Sequence, residues 1–216
     1  MRQVGLNACV SVLIALAASS IHPQTAYPQT GAAPSDQFKS DPLTKAGQVA
    51  IDGRTMPYVI HYLPPSSFPN LPANVVDVLN RRGCMIPQTY EAHHPENVVH
   101  ASLERAGSQD WALLCSAKGT VSLMVFFASA PESPTILVAI PETERLQVHG
   151  ASEALGFDWG IDPASPERVH EAQIGLERRP PPPDHDAIAN SVIDQRTAYY
   201  LYSKTGKWTL VDLPEP

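Results

Sequence analysis

The stretch Asp110–Ser116, DWALLCS, constrains this chain more than any other. After Asp110 it is nearly all apolar and lacks the alternation of a strand with one wet face. Such a run marks a strand buried on both faces, so two layers of structure must cover it. Its flanks supply partners: Val98–Leu103 precedes it and Thr120–Phe127 follows, both of strand length and both joined to it by short turns. Asn97–Phe127 is therefore expected to form a three-stranded meander around which the remainder packs.

The chain has 216 residues, and its beginning reads as an export signal. Met1-Arg2 is a short positive start, Val4–Ile14 is mostly apolar, and Ala15 and Ala17 follow as A-x-A. This pattern predicts a signal peptide over 1–20 rather than a membrane span. Residues 21–44 are rich in Pro, Gln, Ser, Thr and Ala without apolar period, the composition of a disordered lead-in. About 170 residues remain, 45–216, enough for a single domain with its own core.

Lys and Arg number 15 against 22 Asp and Glu, a net charge of -7. An acidic chain without basic runs argues against nucleic acid and against anionic membrane surfaces as partners. No apolar run after the signal approaches the length of a membrane span, so the protein is expected to be secreted or periplasmic. Cys9 would leave with the signal, and Cys84 and Cys115 remain. An even number of cysteines in an exported chain makes a disulfide the default, against the rival reading of a reactive or metal-binding thiol.

Elsewhere the local signals are plain. Gln48–Ile51 and Met56–Leu63 alternate around Asp52-Gly53, a hairpin pattern. Pro72 suits a first helical position, Val75, Val76 and Leu79 continue the period, and Arg81-Arg82-Gly83 closes the helix. Met85–Glu96, with two prolines, reads as a connecting loop. Thr135–Ile140 reads as a fourth strand of the sheet. Arg145–Asp162 has three glycines and reads as irregular surface or a short strand with turns. Ser165 should cap a short helix over Pro166–Gln173. Pro180–Pro183 should run as polyproline II, either a spacer or an exposed ligand. Asp184–Asp194 is read as opening with a helical turn, and Thr197–Tyr202 with Lys207–Leu213 as a closing hairpin. The fold class is thus α+β: an antiparallel sheet of about five to seven strands, one or two short helices packed on it, and one disulfide.

Two resemblances bear on the central stretch. Ala101–Leu113 is similar to the hairpin of FG-GAP-type calcium loops, with Gly107, Asp110, Trp111 and Ala112 matching. Where that family places carboxylate ligands, this chain has Ser102, Glu104 and Ala106, so the resemblance implies the turn without its ion. Arg82–Gln88, RGCMIPQ, with Gly107–Ser116, GSQDWALLCS, resembles a family of uncharacterised secreted bacterial proteins. That resemblance implies that the two cysteines and the hairpin belong together, and implies no chemistry.

Candidate sites are few. His93, His94, His100, His149, His170 and His185, with Asp184 and Asp186, invite a metal reading, and His170, His185 and Asp186 are the candidate ligands of a metal-dependent hydrolase. Zinc motifs with characteristic spacing are missing. No nucleophile motif and no phosphate loop occurs, and no cofactor is expected. Asp110 is expected to accept hydrogen bonds from its own loop. Tyr200, Tyr202 and Trp208 of the closing hairpin are candidate binding residues, though cross-strand aromatic packing explains them too. The reading that results is a non-catalytic domain binding a protein or a cell-envelope component, with the hydrolase and a purely structural accessory domain as alternatives.

Overall fold

A computed structural model describes residues 43–195 and 197–214, all within one compact unit. The expected signal peptide and nearly all of the expected lead-in lie outside the described residues. Leu43 and Thr44, placed with the lead-in on composition, already belong to the first strand.

That strand, β1 (Leu43–Ile51), pairs antiparallel with β2 (Arg54–Leu63). Asp52 and Gly53 both have positive φ, 50° and 75°, the conformation a two-residue hairpin turn of matching twist needs. A short 3-10 turn over Pro65–Ser67 leads into helix α1 (Ala73–Arg82). Pro72 is the N-cap residue rather than the first helical one, and Gly83 ends the helix at φ 67°. Cys84 follows and is bonded to Cys115, with the two Cα atoms 5.1 Å apart.

The expected connecting loop contains a strand, β3 (Ile86–Gln88), whose three residues are all buried. It is antiparallel to the end of β2. Gln88 and Glu96 hold the following loop closed: the Glu96 amide donates to Gln88 Oε1 at 3.0 Å, and the Thr89 amide donates to Glu96 Oε1 at 2.8 Å. Buried Asn97, at φ 66°, donates to Pro87 O and Trp159 O and accepts from the Ile161 amide. One amide side chain therefore ties three segments distant in sequence.

The meander is present as β4 (Val98–Ala101), β5 (Asp110–Ala117) and β6 (Thr120–Phe126), extended by β7 (Thr135–Pro141) into a four-stranded antiparallel sheet. β7 is an edge of that sheet, and Ile136 on it is 48 % exposed. β5 is covered on both sides. Ala112 and Leu114 face the main core, while Leu113 and Cys115 face α1 with Met124, Phe126, Val75 and Leu79.

The rest departs from the expected single sheet. Strands β8 (Leu146–Gln147) and β9 (Leu155–Phe157) join the first hairpin, β9 running parallel to β2. Strands β10 (Trp159–Ala164), β11 (Ala187–Val192), β12 (Thr197–Tyr202) and β13 (Trp208–Leu210) make a further antiparallel sheet. Helix α2 (Pro166–Ala172), capped by the Ser165 side chain, packs on it through Val169. Three sheets thus replace one of five to seven strands. Of Arg145–Asp162, the first part is a short strand with exposed turns, as expected, but the second part is interior: Leu155, Phe157, Trp159 and Ile161, every second residue, sit in the main core. Asp184 begins no helix, because the segment after it pairs as β11.

Buried charge clamps the sheets. Glu142, after β7, accepts Lys45 Nζ of β1 at 2.6 Å and the Ser116 hydroxyl of β5. Burial alone would raise its pKa, but the hydrogen bonds from Lys45 and Ser116 outweigh that and hold it below the ordinary value. The Tyr62 hydroxyl lies close enough for Glu142 to push its pKa up, with burial as the larger cause, yet makes no hydrogen bond of good geometry.

Asp158, between β9 and β10, is the opposite case. Its Oδ1 is buried without a partner, and burial pushes its pKa from 3.8 up to about 6 despite nearby Arg145. The folded state therefore holds this proton more tightly than the unfolded chain, so stability falls as pH rises through the interval from 3.8 to about 6. Asp158→Asn should raise the melting temperature at pH 8, do little at pH 4, and flatten that decline in a melting series across pH. Replacing both Cys84 and Cys115 by Ala should cost on the order of 3 kcal/mol in urea unfolding, the loop-closure value for a bridge of this span.

Candidate ligand-binding cleft

Two of the three expected metal ligands, His185 and Asp186, are engaged elsewhere. His185 is buried with Nδ1 2.8 Å from Asp184 Oδ1 and Nε2 2.8 Å from the Tyr202 carbonyl. Asp184 also pairs with Lys204 at 2.8 Å, and these bonds from Lys204 and His185 hold its carboxyl down to about 2. Asp186 accepts the Ser102 amide at 2.9 Å and returns a backbone bond to Ser102 O. His170, on α2, has a buried Nδ1 without a partner, and its carbonyl accepts from Arg179. Among the described residues no group of three or more His, Cys, Asp or Glu is arranged to hold a metal ion. His93 and His94 are exposed in a loop, and His149 stacks on Tyr90 with ring centroids 4.4 Å apart.

The calcium-like hairpin is organised by Asp110 from within. Its Oδ2 accepts the amides of Leu103 and Glu104 at 2.9 and 2.7 Å and the Ser108 hydroxyl; its Oδ1 accepts the Ala128 amide at 2.8 Å. Glu104 turns instead to Arg105 and Ser129. The residues present therefore do not fit a calcium site, which needs six to eight oxygens directed at one point. The backbone has taken the place of the ion.

The aromatics of the closing hairpin pack inward. Tyr202 and Trp208 are paired across β12 and β13, and both contact Phe127, with centroid distances of 4.7 to 6.0 Å. Tyr200 lies against the main core on the same face, and Tyr199 on the other face is covered by α2 with Arg168 over its ring. Alternation along β12 set this correctly, but the three candidates assemble no recessed site.

A cleft opens elsewhere, and of the histidines that invited a metal reading only His100 lines it. The cleft lies between the loop before helix α1 and the strands β4 and β5. The space measures about 510 Å³. Phe68, Pro69 and Asn70 form one wall, Pro95 and His100 the other, and Trp111 the floor between them. His100 and Trp111 are register partners on β4 and β5, and their rings stack at 4.3 Å, 14° from parallel. Trp111 also lines a smaller hollow on its far side with Gln109, Phe126 and Phe127. The chain has 22 acidic and 15 basic residues, yet none lines either space. The Asn70 carboxamide and the Trp111 indole N–H have no hydrogen-bond partner among the described residues, and neither is sealed from solvent.

The wall residues Phe68, Pro69 and Asn70 carry no motif. The pairing of His100 with Trp111 was readable only once the strand register was known. No family model, curated protein or solved structure matches the chain.

Asp110→Ala should destabilise by about 2–4 kcal/mol, because three backbone amides lose their acceptor. Calcium up to millimolar concentrations should leave the melting temperature of the unaltered protein unchanged. A rise of several degrees would overturn the account of the hairpin.

Proposed function

We propose that this chain is a secreted or periplasmic, non-catalytic domain that binds a protein or a cell-envelope component in the Trp111 cleft. The observation that carries the reading is the contrast between two sets of polar groups. The groups capable of acid–base chemistry or metal ligation, such as Asp110, Glu142, His185 and Asp186, spend their hydrogen bonds on the fold. The groups left free at the cleft are an indole N–H, an imidazole and a carboxamide set among apolar rings. Recessed apolar walls with a few convergent polar groups are the usual form of a recognition site.

Export is supported by the signal-like start and by the Cys84–Cys115 bridge, which an oxidising compartment would maintain. No helix among the described residues is long and apolar enough to cross a membrane. The resemblance of RGCMIPQ and GSQDWALLCS to secreted bacterial proteins agrees with that placement.

The test uses the immobilised full chain with its disulfide formed, probed separately with purified peptidoglycan and with periplasmic protein. Retention should fall at least fivefold for a Phe68→Ser, His100→Ala double variant whose melting temperature stays within a few degrees of the parent. Equal retention by both proteins, or turnover of an ester, amide or glycosidic probe that the parent carries out, would sink the proposal.

A further inference from the structure

Building on the binding reading, we infer that the Trp111 cleft takes an uncharged, proline-rich protein segment in the polyproline II conformation. Three observations point to this chemistry rather than to a sugar or a charged peptide. The first is electrostatic: with no Asp, Glu, Lys or Arg on its lining, the cleft has nothing with which to offset a ligand's charge on desolvation. A neutral ligand avoids that cost.

The second is the state of the aromatic floor. A saccharide ring is bound by stacking on an open aromatic face. In Trp111 the face toward His100 is already covered at 4.3 Å, and Trp111 also borders the smaller hollow that it shares with Phe126 and Phe127. What the indole can offer to the cleft it shares with His100 is its edge and its N–H.

The third is the balance of donors and acceptors. A polyproline II helix makes no internal hydrogen bonds, so its carbonyls are free, and its prolines carry no N–H. Such a ligand brings apolar rings and acceptors. The cleft presents apolar rings in Phe68, Pro69 and Pro95, and donors in Trp111, Asn70 and His100. Because the ligand is already extended, little conformational entropy is lost on docking, which is why aromatic-lined grooves recur as its receptors. The volume of about 510 Å³ lies within the usual range for pre-formed sites.

The experiment is a titration of the isotope-labelled full chain with acetylated, amidated octaproline, followed through the indole N–H resonances of its three tryptophans. Chitohexaose serves as the neutral saccharide, and a glycine–serine octapeptide as the flexible control. Octaproline should move the Trp111 signal and leave those of Trp159, bonded to Asn190, and of Trp208, whose indole nitrogen is buried, in place. These two signals also report whether each variant is folded. Trp111→Phe, which keeps a ring but removes the donor, should weaken binding about two- to tenfold as read from backbone shifts. Phe68→Ala should weaken it as well. Chitohexaose moving Trp111 while octaproline does not would overturn the ligand class and leave the binding reading intact. No shift with any probe would overturn the inference. The peptidoglycan and periplasmic retention assay then decides the broader reading separately. Octaproline binding that Trp111→Phe and Phe68→Ala leave unchanged would place the peptide elsewhere and equally overturn it.

Discussion

Burial of β5 on both faces is the constraint on which the architecture rests. A strand with no wet face must be sandwiched, and its alternating residues then belong to two different cores. In this chain Ala112 and Leu114 look toward the sheets that contain Tyr58, Ile60, Phe157 and Trp159, while Leu113 and Cys115 look toward helix α1. The disulfide reinforces that second layer by fixing the end of the helix, through Cys84, to the strand it covers. Asp110 opens the same strand and gathers the amides of two loops onto one carboxylate. The cleft lies at the same end of β5, where Trp111 meets the loop that leads into α1.

Polar chemistry is divided along the same lines. Carboxylates serve as fastenings: buried Glu142 between β1 and β5, buried Asp110 between loops, and half-buried Asp186 against Ser102. Buried ionic groups fully supplied with partners contribute more to holding one arrangement in place than to net stability. Asp158 is the exception, a carboxyl pressed into the interior without a partner for one of its oxygens. Glu142, Asp110 and Asp186 thus spend their hydrogen bonds on shape.

How much of this was legible beforehand depended on whether the governing interaction was local. The Asp52-Gly53 hairpin, the helix ending at Gly83, the Ser165 cap and the meander all follow from neighbours in sequence, and each formed at the expected place. The Cys84–Cys115 pairing was legible because only two cysteines follow Cys9 in the sequence. The division into three sheets was not, because it depends on which strand edges meet across long separations, as when β9 pairs with β2. Leu155, Phe157, Trp159 and Ile161 did carry a period of two. Interspersed Gly156 and Gly160 suggested turns, and the period was outweighed. The cleft was invisible for a related reason: its walls come from a loop, an edge strand and a central strand, and no one segment carries the pattern. Asp184-His185-Asp186 drew attention as a cluster in sequence, with His170 to join it from α2, but His185 and Asp186 are turned to opposite partners, Tyr202 and Ser102.

The uncharged edge strand β7, TILVAIP, has a consequence for how the chain behaves in company. An apolar strand with one free backbone edge is a template for sheet growth between molecules, and seven residues without a charge are enough to propagate it. Here the segment is bracketed by Glu132 and Pro134 on one side and by Pro141 and Glu142 on the other, and a register shift between Leu123 and Met124 disturbs the ladder beside it. Prolines end the hydrogen-bonding edge, and the exposed Glu132 carboxylate repels an identical copy laid alongside. Glu142, which fastens the sheets inside the monomer, follows directly on Pro141 at the end of this strand, so that loosening the fastening would also free the end of the edge.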